Sequence, residues 1–192
     1  MSKTLYLASK SPRRRDLLDQ LGVKYLCIDA SVDETPLYNE TPEALVLRLA
    51  HEKARAGWSV LGEAESVMVL GADTIVVVDG RILGKPVDEA EALAMLACLS
   101  ARRHEVLTAV AVCGDKGRRS VLRRSTIWFR PISVQEAVDY WHSGEPRDKA
   151  GSYAIQGAGG RFVTRIDGSY TGVVGLPLYE TETLLADYCE DR

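Results

Sequence analysis

Asp79-Gly80 falls between the β-branched run at 75–78 and the apolar residues at 81–83. An Asp-Gly pair flanked this way signals a two-residue hairpin, whose strands are antiparallel. Much of the remaining chain alternates short apolar runs with helix starts, a pattern that makes parallel strand neighbours. A chain holding both devices favours an α/β fold with a mixed, twisted sheet flanked by helices over a purely parallel, doubly wound one.

The individual elements follow from local chemistry. TLYLA at Thr4–Ala8 is a short buried strand, and Ser11-Pro12 then opens a helix with the stripe Leu17, Leu18 and Leu21, stopped by Gly22. Residues 25–28 form a second strand. Thr41-Pro42 repeats the cap device and opens a longer helix, with Leu45, Leu49 and Ala50 on its face and a stop expected at Gly57. The apolar runs 67–70 and 75–78 read as strands interrupted by Gly71-Ala72-Asp73-Thr74. Asp88 with Glu91, and Ser133 with Glu136, have capping-box spacing. Strands are expected at 106–112, 121–129 and 162–166, a Gly-rich loop with at most a short strand at 144–160, and a terminal helix through Leu184, Leu185 and Tyr188. With 192 residues, no internal repeat and no linker, the chain 1–192 is expected to be one domain.

Charge and cysteine usage exclude several function classes. Lys plus Arg number 24 against 27 for Asp plus Glu, a formal charge of -3. That balance, without interleaved aromatic and basic residues, argues against nucleic acid as a partner. Cys27, Cys98, Cys113 and Cys189 make no CxxC pair and no zinc-ligand spacing with histidine, so they are expected to be reduced and mostly buried thiols. No stretch approaches the roughly 20 apolar residues of a membrane span, so the expected location is cytoplasmic, with no membrane partner. Trp58 and Trp141, expected at the surface, leave a homodimer open.

Four segments carry candidate chemistry. Ser9-Lys10-Ser11-Pro12-Arg13-Arg14-Arg15 puts three arginines in the first turn of a helix, against a dipole that disfavours cations there by roughly 0.3–1 kcal/mol each. A solvated turn would explain them, but cations set against the dipole, beside outward-pointing N–H groups, suit phosphates better. Asp73, at the end of an apolar run, is costly to bury unless its charge is used; it would hold a divalent cation or accept a proton, or else be a turn aspartate bonding its own backbone. Gly84-Lys85-Pro86 fails the phosphate-loop pattern, which needs GxxxxGK followed by Ser or Thr. Lys85 is left as a point charge for a phosphate, and Lys53 is a similar candidate on the long helix, where a solvated lysine is the plainer reading. The segment from Lys149 to Gly160 does not open a helix and so fails the dinucleotide fingerprint. Within it, Gln156 carries both a donor and an acceptor, as reading a base edge requires. Glu34 is a further, weakly signalled carboxylate for a metal. No HExxH or GxSxG motif occurs.

Ser9-x-Ser11-Pro12-Arg13-Arg14, Asp33-Glu34, Glu52-Lys53-Ala54, Gly71-Ala72-Asp73-Thr74, Lys85-Pro86, the 151–157 segment, Gly168-Ser169-Tyr170 and Val174-Gly175-Leu176-Pro177 resemble, in order, the Maf-type nucleoside triphosphate pyrophosphatases. The resemblance implies a bilobed α/β fold with a central cleft, like that of the inosine triphosphatases, and hydrolysis between the α and β phosphates. It also implies a divalent metal; the expected ion is Mg²⁺ or Mn²⁺, with Glu34 and Asp73 as the carboxylates expected to hold it. Asp73 matches the family's proposed proton acceptor, and Arg13, Thr74 and Gln156 match positions tied to substrate choice. Ser9, Arg14, Lys53 and Lys85 complete the expected substrate contacts. Tyr153-Ala154-Ile155-Gln156-Gly157 resembles members acting on dTTP and UTP, with modified pyrimidine triphosphates as further candidates. The alternatives are the related subgroup acting on 7-methyl-GTP and a non-catalytic nucleotide-binding regulator of cell division. Ala101 departs from the family pattern, which often has glycine there, and this puts a turn in doubt.

Overall fold

In the computed structural model, which describes residues 3–190, seven strands form one mixed sheet in the order β2-β1-β3-β5-β6-β7, with β4 paired to β3. The strands are β1 (Thr4–Ala8), β2 (Tyr25–Cys27), β3 (Val67–Val78), β4 (Arg81–Leu83), β5 (Arg103–Gly114), β6 (Gly117–Phe129) and β7 (Val163–Asp167). β1 pairs in parallel with β2 and β3, whereas β3–β4 and β6–β7 are antiparallel. Asp79 and Gly80 take φ of 48° and 74°, the positive values that a primed hairpin turn requires. The mixed sheet expected from this hairpin is therefore present.

The chain divides into two compact units, each assembled from separated stretches of sequence. The first runs up to Asp73 and adds Thr108–Arg123 and the chain from Gly175. It holds α1 (Pro12–Gln20), α2 (Pro42–Val60) and α6 (Leu178–Glu190). Leu7, Leu18, Val46, Ala50, Val69 and Leu70 are all fully buried in it. The second comprises Thr74–Leu107 and Arg124–Val174, with α3 (Glu89–Leu99), α4 (Val134–His142) and α5 (Tyr170–Val174). Its core packs Leu96 and Leu99 of α3 against Phe129, Tyr140, Tyr153 and Phe162.

Capping chemistry places most helix starts where the residues put them. Thr41 accepts the N–H of Ala44, and Ser133 with Glu136 forms a complete capping box. Asp88 accepts the N–H of Glu91, but the Glu91 carboxylate turns to the N–H of Val87, so this box is half made. Ser11 caps nothing with its side chain; the Ser9 hydroxyl takes the Ser11 N–H instead.

Several expectations need correction. Gly57 does not end α2, which continues to Val60 with Gly57 buried inside it. Residues 71–74 do not interrupt the apolar runs; β3 is one continuous 12-residue strand with Asp73 in its interior. The 144–160 stretch is not open loop but contains short 3-10 turns, because its glycines permit tight local bonding. Phe162 belongs to the last of these turns and β7 begins at Val163. The helix α5 was not anticipated; five residues are too few to show a helical period. Trp58 and Trp141 are half-buried rather than exposed, the second lying under the Arg147 guanidinium at 5.4 Å.

Candidate active site

The uninterrupted course of β3 explains how the first unit gathers charge. Gly71 lies against α2, where a Cβ would run into the Ala50 carbonyl and the backbone of Ala54. Small residues at 71 and 72 let strand and helix meet backbone to backbone, and Lys53 sits in the part of α2 that approaches. Its ammonium lies 2.6 Å from Asp73 Oδ1 and 2.6 Å from Glu34 Oε1. Asp73 is only 7% exposed, so the ion pair supplies the charge partner that such a buried carboxylate needs.

Arg14 joins the same cluster from the first turn of α1. Its Nε donates to the Gly175 carbonyl at 2.9 Å and its Nη1 to the Ser9 hydroxyl at 3.2 Å. Burial lowers its pKa from the ordinary value; Asp73 pulls it back up, Arg13 pushes it down and Glu34 pulls it up. These interactions put Arg13, Arg14, Glu34 and Asp73 within electrostatic reach of one another. Ser9, Arg13, Arg14, Glu34, Lys53 and Asp73, drawn from four separate sequence blocks, thus converge in one unit. Cations concentrated at a helix N-terminus beside a pair of carboxylates can receive a polyanion and a divalent ion together.

The second unit holds the remaining candidates. Thr74 follows Asp73 on β3 and is half-buried; Lys85 and Gln156 are exposed. Lys85 follows Gly84, whose carbonyl accepts the N–H of Gly151 at 3.0 Å, so the Lys85 loop is tied to the Gly-rich segment. Gln156 lies at a turn within that segment.

Arg48 is a residue that sequence reasoning missed. From α2 its guanidinium donates to both Glu40 carboxylate oxygens, at 2.7 and 2.8 Å, to the Thr35 carbonyl at 3.1 Å and to Glu52 at 3.1 Å. Hydrogen bonds from Arg48, then from the Leu37 N–H, hold the Glu40 carboxyl down at about 2. The irregular segment carrying Glu34 is thereby pinned to α2 close to Lys53. The only sequence signal was the helical spacing of Arg48 and Glu52, since the Glu40 and Thr35 contacts come from loop residues with no period. The four cysteines are free thiols, as expected, but they are not mostly buried: Cys113 is buried, Cys98 half-buried, and Cys27 and Cys189 are exposed.

A family model described as Maf-like protein matches residues 4–188. Among curated proteins, the dTTP/UTP pyrophosphatase of Pseudoalteromonas atlantica is 51% identical over 183 residues, covering 95% of each chain. That of Vibrio vulnificus is 50% identical over 184 residues, covering 96% of this chain and 98% of its own. Among solved structures, the Ham1 protein of Staphylococcus aureus aligns with a TM-score of 0.46 at 19% identity, over 69% of this chain and 73% of that one. With a match along nearly its whole length, this chain belongs to the Maf family.

Proposed function

We propose that the chain is a nucleoside triphosphate pyrophosphatase acting on dTTP and UTP, cleaving between the α and β phosphates to release the monophosphate and pyrophosphate. Relatives at about half identity over nearly the full length carry that name. The observation that carries the reading is the single Lys53 ammonium at 2.6 Å from both Glu34 and Asp73, with Arg14 sensing the same two carboxylates. A site built only to hold its own fold would not need arginines at the dipole-disfavoured end of α1 beside them.

The donor set fits a hard divalent cation. Two carboxylates already converge on one positive charge, and Mg²⁺ or Mn²⁺ typically takes one or two carboxylates plus substrate phosphate and water. Among the described residues no group of three or more His, Cys, Asp or Glu could form a closed protein cage. Glu34 and Asp73 would hold the ion, which when bound neutralises charge on the phosphates. Arg13, Arg14, Lys53 and Lys85 bind and orient the triphosphate, and Ser9 fixes the Arg14 guanidinium while meeting a phosphate oxygen. Asp73 orients the attacking water and accepts its proton, and Thr74 and Gln156 select the nucleoside. Positioning and charge neutralisation supply most of the rate in such a reaction. Residues 1–192 act as one catalytic domain on a small-molecule substrate. No helix of the described residues is long and apolar enough to cross a membrane, and the proposed nucleotide substrate is in keeping with the cytoplasmic location expected from the sequence.

Product analysis across a nucleotide panel, with and without Mg²⁺, tests the reading. Pyrophosphate release is expected with dTTP and UTP, and preference for 7-methyl-GTP or binding without product would overturn it. Asp73→Asn should lower kcat by at least about 10²-fold with folding intact. Wild-type turnover in that variant removes Asp73 from the mechanism.

A further inference from the structure

The Gly-rich segment of the second unit is bracketed by two side chains with no assigned role. Tyr140, fully buried on α4, donates its hydroxyl to Glu145 Oε1 at 2.6 Å, and the same hydroxyl oxygen accepts the N–H of Ala154 at 2.9 Å. The Glu145 carboxylate then takes two more backbone donors, Ala158 N–H at 2.9 Å on Oε2 and Gly159 N–H at 3.0 Å on Oε1. Gln156 lies between these anchors, two residues from Ala154 and two from Ala158. Its own side chain is exposed while the backbone on both sides is held.

The fit leaves no slack. A Cβ on Gly157 would run into the Glu145 carboxylate, and one on Gly159 would run into the Tyr140 hydroxyl. Both glycines are present because the backbone passes this close to the pair. Burial alone would raise the Glu145 pKa, but the Tyr140 hydroxyl and then the N–H groups of Gly159 and Ala158 outweigh it and hold the group below its ordinary value. Glu145 is therefore an anion at neutral pH, and charge-assisted bonds from backbone N–H groups are about twice as strong as neutral ones.

We infer that Tyr140 and Glu145 are positioning residues that fix the turn presenting Gln156, and so set how strictly the enzyme selects its pyrimidine base. The inference rests on the proposed role of Gln156. A side chain with several rotatable bonds discriminates between bases only if its backbone is held, because a mobile turn lets the amide follow whichever edge is offered. Charge alone does not tell uracil from cytosine, so the phosphate-handling residues should be indifferent to this pair.

Kinetics with UTP and CTP test it, using Glu145→Gln, Tyr140→Phe, Gln156→Ala and the double variant Glu145→Gln/Gln156→Ala. A glutamine at 145 keeps the shape but loses the charge and points a donor at one of the N–H groups. Tyr140→Phe removes only the acceptor for Ala154 and the donor to Glu145, and serves if the first variant fails to fold. Gln156→Ala should cut the UTP-to-CTP ratio of kcat/KM. Glu145→Gln should cut it by about tenfold, mostly through KM, and Tyr140→Phe by less. In the double variant the Glu145 substitution should add nothing, since it acts through Gln156. If Gln156→Ala collapses the ratio while both bracket variants keep it, the inference is overturned and the reading of Gln156 stands. If Gln156→Ala leaves the ratio unchanged, that reading falls and takes the inference with it. Additive losses in the double variant, or losses that track thermal stability alone, would reduce the pair to scaffold.

Discussion

The two units hold their candidate residues by opposite physical means. In the first, side chains meet as full charges: one ammonium between two carboxylates, with the Arg14 guanidinium in electrostatic reach of the same pair. In the second, the exposed Gln156 is supported by hydrogen bonds between side chains and backbone, and the buried polar pair is neutral: His104 Nε2 lies 2.9 Å from the Tyr153 hydroxyl. Ions recognise the charge of a triphosphate at long range but carry little information about shape. Hydrogen bonds on a held backbone carry shape and little long-range attraction. A nucleotide requires both, because its phosphates are common to every base and its base edge is not.

Removing Lys53 should show the largest effect and strains the comparison most. Its side chain is 12% exposed and that of Asp73 is 10% exposed, so Lys53→Met leaves a buried carboxylate without its cation. Breaking such a pair costs about 3–5 kcal/mol. The expected result is a clear drop in Tm at neutral pH, loss of at least about 10²-fold in kcat/KM, and partial recovery of Tm on adding Mg²⁺ at millimolar concentration. Thermal melts with Mg²⁺ titrated into wild type and variant check this. A variant as stable and active as wild type would mean that the first unit does not depend on its ion cluster.

The ion cluster of the first unit was largely legible in the sequence. Arginines against a helix dipole and an aspartate within apolar residues both break a local rule, and rule-breaking residues mark function. What misled was Gly71. Small residues beside an aspartate usually mark a turn, but here they mark a strand touching a helix, a contact with Ala50 and Ala54 about twenty residues away that no local pattern encodes. The half-buried positions of Trp58 and Trp141 and the Glu40–Arg48–Thr35 link were hidden for the same reason, since each depends on a distant or aperiodic partner. In the second unit the apolar run at 121–129 and the box at Ser133 marked elements, whereas Tyr140 and Glu145 looked like ordinary helix and turn residues. Their partners are main-chain N–H groups, which every residue has.

In the second unit one buried neutral group, His104, ties stability to pH. His104 is 2% exposed and packs edge-on against Phe129, with centroids 4.8 Å apart. Burial holds its pKa at about 4, below the ordinary 6.5. Below 6.5 the unfolded chain takes up the proton before the folded one does. The stability is therefore fully present above 6.5 and is lost as the pH falls through the folded value near 4. At about 1.4 kcal/mol per pH unit, the gap corresponds to about 3 kcal/mol. Chemical denaturation at pH 7 and at pH 4 should show that slope in wild type and a flatter one in His104→Gln. Equal slopes would remove His104 as the source.

Ala101 offers the finest test, and it concerns backbone rather than side chains. It sits between α3 and β5 with φ of 58°, a left-handed conformation, while its N–H donates to the Arg130 carbonyl at 3.1 Å. The turn that its departure from the family's glycine put in doubt is thus made, but by an alanine in a region where a Cβ costs about 1–2 kcal/mol. Glycine would relieve that cost and add back part of it as freedom in the unfolded chain. Ala101→Gly should therefore stabilise by about 0.5–1 kcal/mol, raising Tm by a few degrees at most. Turnover should not change, since Ala101 lies in neither the ion cluster nor the turn that presents Gln156. A lower Tm would show that the folded turn carries less strain than its dihedral implies. A change in the UTP-to-CTP ratio would show that selectivity in the second unit depends on a wider stretch of backbone than the Tyr140–Glu145 bracket.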